Sequence, residues 1–155
     1  MQYLPVLLIL ILTACKCPKK AMESTPSEQQ PPVQMTLILA DFYGGAEEEE
    51  LRVIRSQGEL QKFFSQVNKT RKPGLPVPKV DFEGTMVLLY APGSNHAGEL
   101  PGLKVLERTD HRLHIGLETK KGQRDRTSTA TTRPFMLYSM PKSDKEVVLD
   151  RAGQP

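Results

Sequence analysis

Apolar residues are distributed along this chain in three ways. Residues 3–14, YLPVLLILILTA, are an unbroken apolar run of about a dozen residues. Residues 16–34, KCPKKAMESTPSEQQPPVQ, contain almost nothing to bury. From Met35 onward short apolar stretches alternate with turn-forming residues to the end of the chain. Within that last part, Met35–Phe42 predicts a strand, Tyr43-Gly44-Gly45-Ala46 a turn, Glu47–Glu50 a solvated acidic loop and Leu51–Arg55 a second strand. Ser56 and Glu59 form a capping box that opens a helix. Leu60, Phe63, Phe64 and Val67 then recur at helical spacing and give that helix one apolar stripe, destined for the core. Asn68–Lys79, with three prolines and a glycine, ends the helix and predicts an extended connection.

Met86–Tyr90, MVLLY, is apolar at every position, the pattern of a central strand covered on both faces. Pro92–Gly102 predicts a long loop. Leu103–Arg108 and Arg112–Glu118 flank Thr109-Asp110-His111 as a hairpin, and in its second strand Leu113, Ile115 and Leu117 alternate with His114, Gly116 and Glu118. Phe135–Met140 and Glu146–Leu149 are the last two strands. One helix among about seven strands joined by hairpin-length links predicts a mainly β, α+β domain over residues 35–155. Its expected form is an antiparallel β-sandwich or curled sheet with the helix packed on it. The 13 prolines and 11 glycines agree with an architecture of short elements and many corners.

The N-terminal run is too short to cross a bilayer, which takes about 20 residues. It has the length of a signal-peptide core. Leu12-Thr13-Ala14-Cys15 follows its last leucines and resembles the lipobox of bacterial lipoproteins, where a branched residue and two small ones precede a cysteine. Thr13 and Ala14 leave the backbone open to a peptidase, and the Cys15 thiol can carry diacylglycerol as a thioether. Each buried methylene contributes about 0.8 kcal/mol, so several chains anchor stably where one does not. The expected organisation is a signal peptide over 1–14, lipidated Cys15 with a disordered tether over 15–34, and the domain over 35–155. The tether would span about 20–25 Å as a coil. The expected location is the cell envelope, at the outer membrane facing the periplasm in a diderm cell. Cys15 and Cys17 are the only cysteines; once Cys15 is a thioether, Cys17 is left as a free thiol and no internal disulfide can form.

Charge narrows the partners further. A formal net charge of +3 is too small to predict nucleic-acid binding. Reading for chemistry predicts no enzyme, no metal and no cofactor: Ser94 near His96 lacks a nucleophile elbow, there is no phosphate or dinucleotide loop, and no cysteine falls in the domain. His111 and His114 are three apart on a strand, which aims them at opposite faces rather than at one metal. Two surfaces are candidates for interaction. The 92–102 loop carries Asn95, His96 and Glu99, and a basic patch carries Lys120, Lys121, Arg124 and Arg126.

From Leu51 to Leu149 the order of several short motifs resembles the PrcB C-terminal domain family, named for a subunit of a secreted protease complex. They are Val53-Ile54-Arg55-Ser56-Gln57, Val80-Asp81-Phe82 before Met86-Val87, the glycine-rich loop, Thr129-Ala130-Thr131-Thr132-Arg133-Pro134-Phe135, and Met140-Pro141-Lys142. Tyr43-Gly44-Gly45-Ala46-Glu47 is similar to a glycine turn of lipoprotein members. In the 92–102 loop this chain reads His96-Ala97-Gly98-Glu99-Leu100 where the family usually has Thr-Gly-Gly-Tyr. The resemblance implies a non-catalytic partner or assembly factor of an exported protease, and it transfers no catalytic residue. The rival expectations are an inhibitor-like domain acting through the 92–102 loop and, more distantly, a hydrolase or metal-binding protein using His96 and Glu99.

Overall fold

The helix and the central strand organise everything else. In a computed structural model, which describes residues 33–94, 100–118 and 132–151, seven strands and one α-helix follow one another in the chain. They are β1 (Thr36–Asp41), β2 (Glu49–Ile54), α1 (Gln57–Val67), β3 (Thr85–Pro92), β4 (Gly102–Arg108), β5 (Arg112–Glu118), β6 (Phe135–Pro141) and β7 (Glu146–Asp150). One sheet has the order β1-β6-β3-β2 and is antiparallel throughout; the other has the order β4-β5-β7.

The double burial expected of MVLLY is resolved residue by residue. Val87, Leu89 and Ala91 of β3 join Leu60, Phe63, Phe64 and Val67 of α1, with Phe135 and Leu137 of β6. Met86, Leu88 and Tyr90 point the other way, onto Leu103, Leu113 and Ile115 of the second sheet, with Met136, Tyr138 and Met140. The strand period of two therefore splits one apolar run between two cores. The layers are helix, four-stranded sheet and three-stranded sheet, the α+β sandwich arrangement expected from the pattern.

Aromatic rings tie the helix down. Phe63 meets Phe135 edge-on with centroids 5.0 Å apart, and Phe63 and Phe64 are also edge-to-face. The N-terminus of α1 forms as read: Ser56 Oγ accepts the Glu59 N–H at 3.2 Å. Glu59 reaches one residue further back than a standard capping box, accepting the N–H of Arg55 at 2.8 Å. Two amides then fasten the link that follows the helix. Asn68 exchanges two hydrogen bonds with the backbone of Leu75, and Gln57 accepts from Val80 and donates to Pro78.

Three local expectations are corrected by the structure. The acidic run is not wholly loop, because Glu49 and Glu50 open β2 opposite Pro92 and Ala91. There Glu49 accepts from the Tyr90 hydroxyl and pairs with Arg151, and Glu50 pairs with Arg52, so each carboxylate has a local reason to lie in a strand. Asn68–Thr70 make a 3-10 turn before the chain extends. Pairing is not antiparallel everywhere: β7 runs parallel to β5, having crossed from β6 in the other sheet.

Candidate functional site

A concavity lies where the glycine turn meets the end of α1. It is a cleft of about 740 Å³ bordered by Tyr43–Gly45, Gln66 and Val67, Lys69–Lys72, and Arg133.

The turn is held from three directions. Asp41 Oδ1, at the end of β1, accepts the Tyr43 N–H at 2.8 Å. The Arg133 N–H donates to Phe42 O, and the Gly45 N–H donates to Arg133 O at 2.7 Å, so the β1–β6 ladder continues past its last formal pair. Gly44 has φ +107°, a conformation that a side chain rarely tolerates, and a Cβ there would lie 2.8 Å from a Val67 methyl. Gly45 is closed in by backbone, since its Cβ would fall 2.2 Å from the Pro134 carbonyl oxygen. The glycine pair thus lets the turn sit directly on the end of the helix and on residues 133–134. This leaves Phe42 and Tyr43 outermost, 45% and 56% exposed.

The opposite wall is cationic. Lys69, Arg71 and Lys72 follow the C-terminal end of α1, where the helix dipole favours positive charge. Arg71 grips Asp41 through a two-pronged contact, Nη1 to Oδ2 at 2.9 Å and Nη2 to Oδ1 at 2.8 Å. Burial alone raises the Asp41 carboxyl. The Arg71 fork and the N–H groups of Tyr43 and Phe42 outweigh it and hold the group below the ordinary aspartate range. Arg133 faces the Glu47 carboxylate at 3.3 Å, with both side chains largely in solvent. Lys69 and Lys72 make no ion pair with any described residue, which gives this cleft an unneutralised positive character.

Because the Asp41 value is lowered on folding, the pair stabilises the fold above the unfolded-state value of about 3.9 and the benefit is lost as pH falls through the folded value. Asp41→Asn is therefore expected to flatten the acid side of the stability profile. The drop in Tm between pH 6 and pH 3 should be smaller in the variant than in the parent protein, and equal drops would remove this assignment.

Two other polar clusters are structural. Arg108, Asp110, His111 and residues 142–145 border a smaller cleft of about 440 Å³, but its two lysines are engaged in holding loops. Lys145 Nζ donates to Thr109 O and Lys142 Nζ to Phe82 O. The Tyr90 hydroxyl donates to Glu49 at 2.8 Å; burial first, then the carboxylate, push it far above the ordinary tyrosine range, so it serves as a donor and not as a base. His111 is exposed, whereas His114 is half-buried with Nδ1 3.8 Å from an Asp150 oxygen. No group of three or more metal-ligating side chains gathers among the described residues. Nor, among them, is any helix long and apolar enough to cross a membrane.

Cys15, the loop residues Asn95, His96 and Glu99, and the basic residues Lys120, Lys121, Arg124 and Arg126 lie outside the described residues. Along the chain the two halves of the cleft are a turn, Tyr43–Ala46, and a connection, Asn68–Lys79, and no local pattern joins them or marks Asp41, Lys69, Arg71 and Lys72. The available signal is the basic Lys69-Thr70-Arg71-Lys72 following the helix end, one strand and one helix after a double glycine.

No family model, curated protein or solved structure matches the chain. The glycine turn and residues 132–135 meet at Arg133 through the backbone hydrogen bonds just described.

Proposed function

We propose that this protein is a lipid-anchored, non-catalytic binding module of the cell envelope, acting as a partner or assembly factor of an exported protease. The observation that carries the binding role is the cleft at the glycine turn. A preformed concavity, with two lysines that no described carboxylate neutralises and an exposed tyrosine on its rim, supports a binding role. The turn is already fixed by Asp41, Arg133 and Val67, so little ordering would be lost on binding. The anchor rests on the apolar run and on Leu12-Thr13-Ala14-Cys15, which would place the domain at the outer membrane facing the periplasm in a diderm cell. The protease as partner class rests on the family resemblance of the sequence.

Two measurements test this reading. Intact mass spectrometry of protein from its native cells should show residues 1–14 removed and a lipid mass on Cys15. An unmodified thiol with the leading peptide retained would remove the anchor. Crosslinking in intact cells should recover one defined exported protein, and recovery of abundant bystanders alone would remove the binding role.

A further inference from the structure

We propose that the cleft beside the glycine turn receives an extended acidic peptide segment of the partner. Lys69 and Lys72 take its carboxylates, and Tyr43 packs against an apolar side chain between them. This deepens the binding-module reading and depends on it for the source of the peptide.

Four cations border the cleft, and they are not equivalent. Arg71 is committed: both of its terminal nitrogens hold Asp41, and each of these two side chains is about four-fifths shielded from solvent. It shapes the wall and contributes little net field. Arg133 is held loosely by one contact to Glu47, whose side chain is 79% exposed. Lys69 and Lys72 are the charges left over. The local balance is thus two positive charges without a described partner and one Arg whose carboxylate can be exchanged. This pattern suits a ligand with several carboxylates in a row.

Shape decides between ligand classes. A bilayer presents headgroups in a plane and could touch only the rim, whereas a cleft of about 740 Å³ accommodates several side chains of an inserted chain. The exposed ring of Tyr43 adds apolar contact along the same rim, which a small inorganic anion could not use. Glu47 has a specific part in this arrangement. It is the protein's own carboxylate on Arg133, and an incoming carboxylate must displace it, so it is a built-in competitor. Removing it is expected to tighten binding, whereas reversing the lysines weakens it; a merely structural role for these exposed residues predicts neither.

The test uses the full lipidated protein in non-ionic detergent and a fluorescein-labelled peptide of alternating glutamate and leucine, read by anisotropy. The glutamate peptide should bind, with affinity falling as salt rises, and its lysine counterpart should not. K69E/K72E should weaken binding about tenfold or more, and Glu47→Gln should strengthen it about two- to fivefold. Circular dichroism should report an unchanged fold for both. Binding that is insensitive to K69E/K72E would overturn the proposal. So would displacement of the peptide by millimolar inorganic phosphate, which marks a plain anion site, or by phosphatidylglycerol carried in the detergent micelles, which marks an anionic-lipid surface. Crosslinking in cells separates the two levels. A partner recovered equally by the parent protein and K69E/K72E sinks the cleft assignment and leaves the binding module intact. Peptide binding without any cellular partner sinks the module and leaves the chemistry of the cleft standing.

Discussion

Replacing Phe64 with alanine is expected to destabilise the domain by about 3–5 kcal/mol and to lower its Tm by about 10–20 °C. Phe64 is fully buried at the centre of the helix-side core, with Phe63 edge-on beside it and β3 and β6 beneath. Truncation removes the transfer free energy of the ring and leaves a cavity. The surrounding strands cannot close it, because Val87, Leu89, Phe135 and Leu137 are fixed by the sheet ladder on one side and by the second core on the other. A domain of ordinary stability, about 5–15 kcal/mol, would lose a large part of its margin. Equilibrium unfolding in urea measures the effect, with Phe42→Ala, at an exposed ring, as a near-neutral comparison. A loss below about 1 kcal/mol for Phe64→Ala would mean that α1 does not pack on the sheet as described.

The second large effect is expected at Gly45. Alanine there would place its Cβ 2.2 Å from a backbone carbonyl oxygen of Pro134, and no side chain can swing aside to relieve it. The turn would have to lift from residues 133–134, giving up the Gly45–Arg133 hydrogen bond and straining the one from Arg133 to Phe42. The expected cost is about 2–4 kcal/mol, with loss of acidic-peptide binding at temperatures where the rest of the domain stays folded. Gly116→Ala provides the contrast. The three nearest atoms its Cβ would meet, at 2.6–2.9 Å, belong to the Leu106 side chain, which is 44% exposed and can rotate outward. That variant should stay within about 1 kcal/mol of the parent protein. Thermal melts of the two variants side by side decide the matter: equal effects would show that backbone contact at Gly45 is not what holds the turn.

These contrasts show why some of the molecule was legible along the chain and some was not. The helix could be read because its signals are all local. Ser56, Glu59 and the stripe Leu60-Phe63-Phe64-Val67 lie within a dozen residues, and the structure places the cap and the buried face on those residues. β3 could be read because covering both faces of a strand requires apolar residues at every position, and Met86–Tyr90 has them. The acidic run misled for the opposite reason. Glu49 is accommodated in a strand by the hydroxyl of Tyr90, 41 positions away, and by Arg151. Nothing near Glu49 in sequence announces either partner.

Burial periodicity and capping chemistry were therefore sufficient to determine a mainly β domain with one helix, the residues that face its core, and the turn at Gly44-Gly45. The tertiary structure alone decided how the strands are distributed. The Lys142–Lys145 link is short enough for a hairpin, yet it carries the chain from one sheet to the other and lays β7 parallel to β5. It alone also assembled the cleft, by bringing Arg133 to a turn some ninety residues earlier and setting both against the end of α1. The physical reason is common to both. Local backbone preference and hydrophobic period act within a few residues, whereas sheet order and charge convergence depend on which distant surfaces exclude water together.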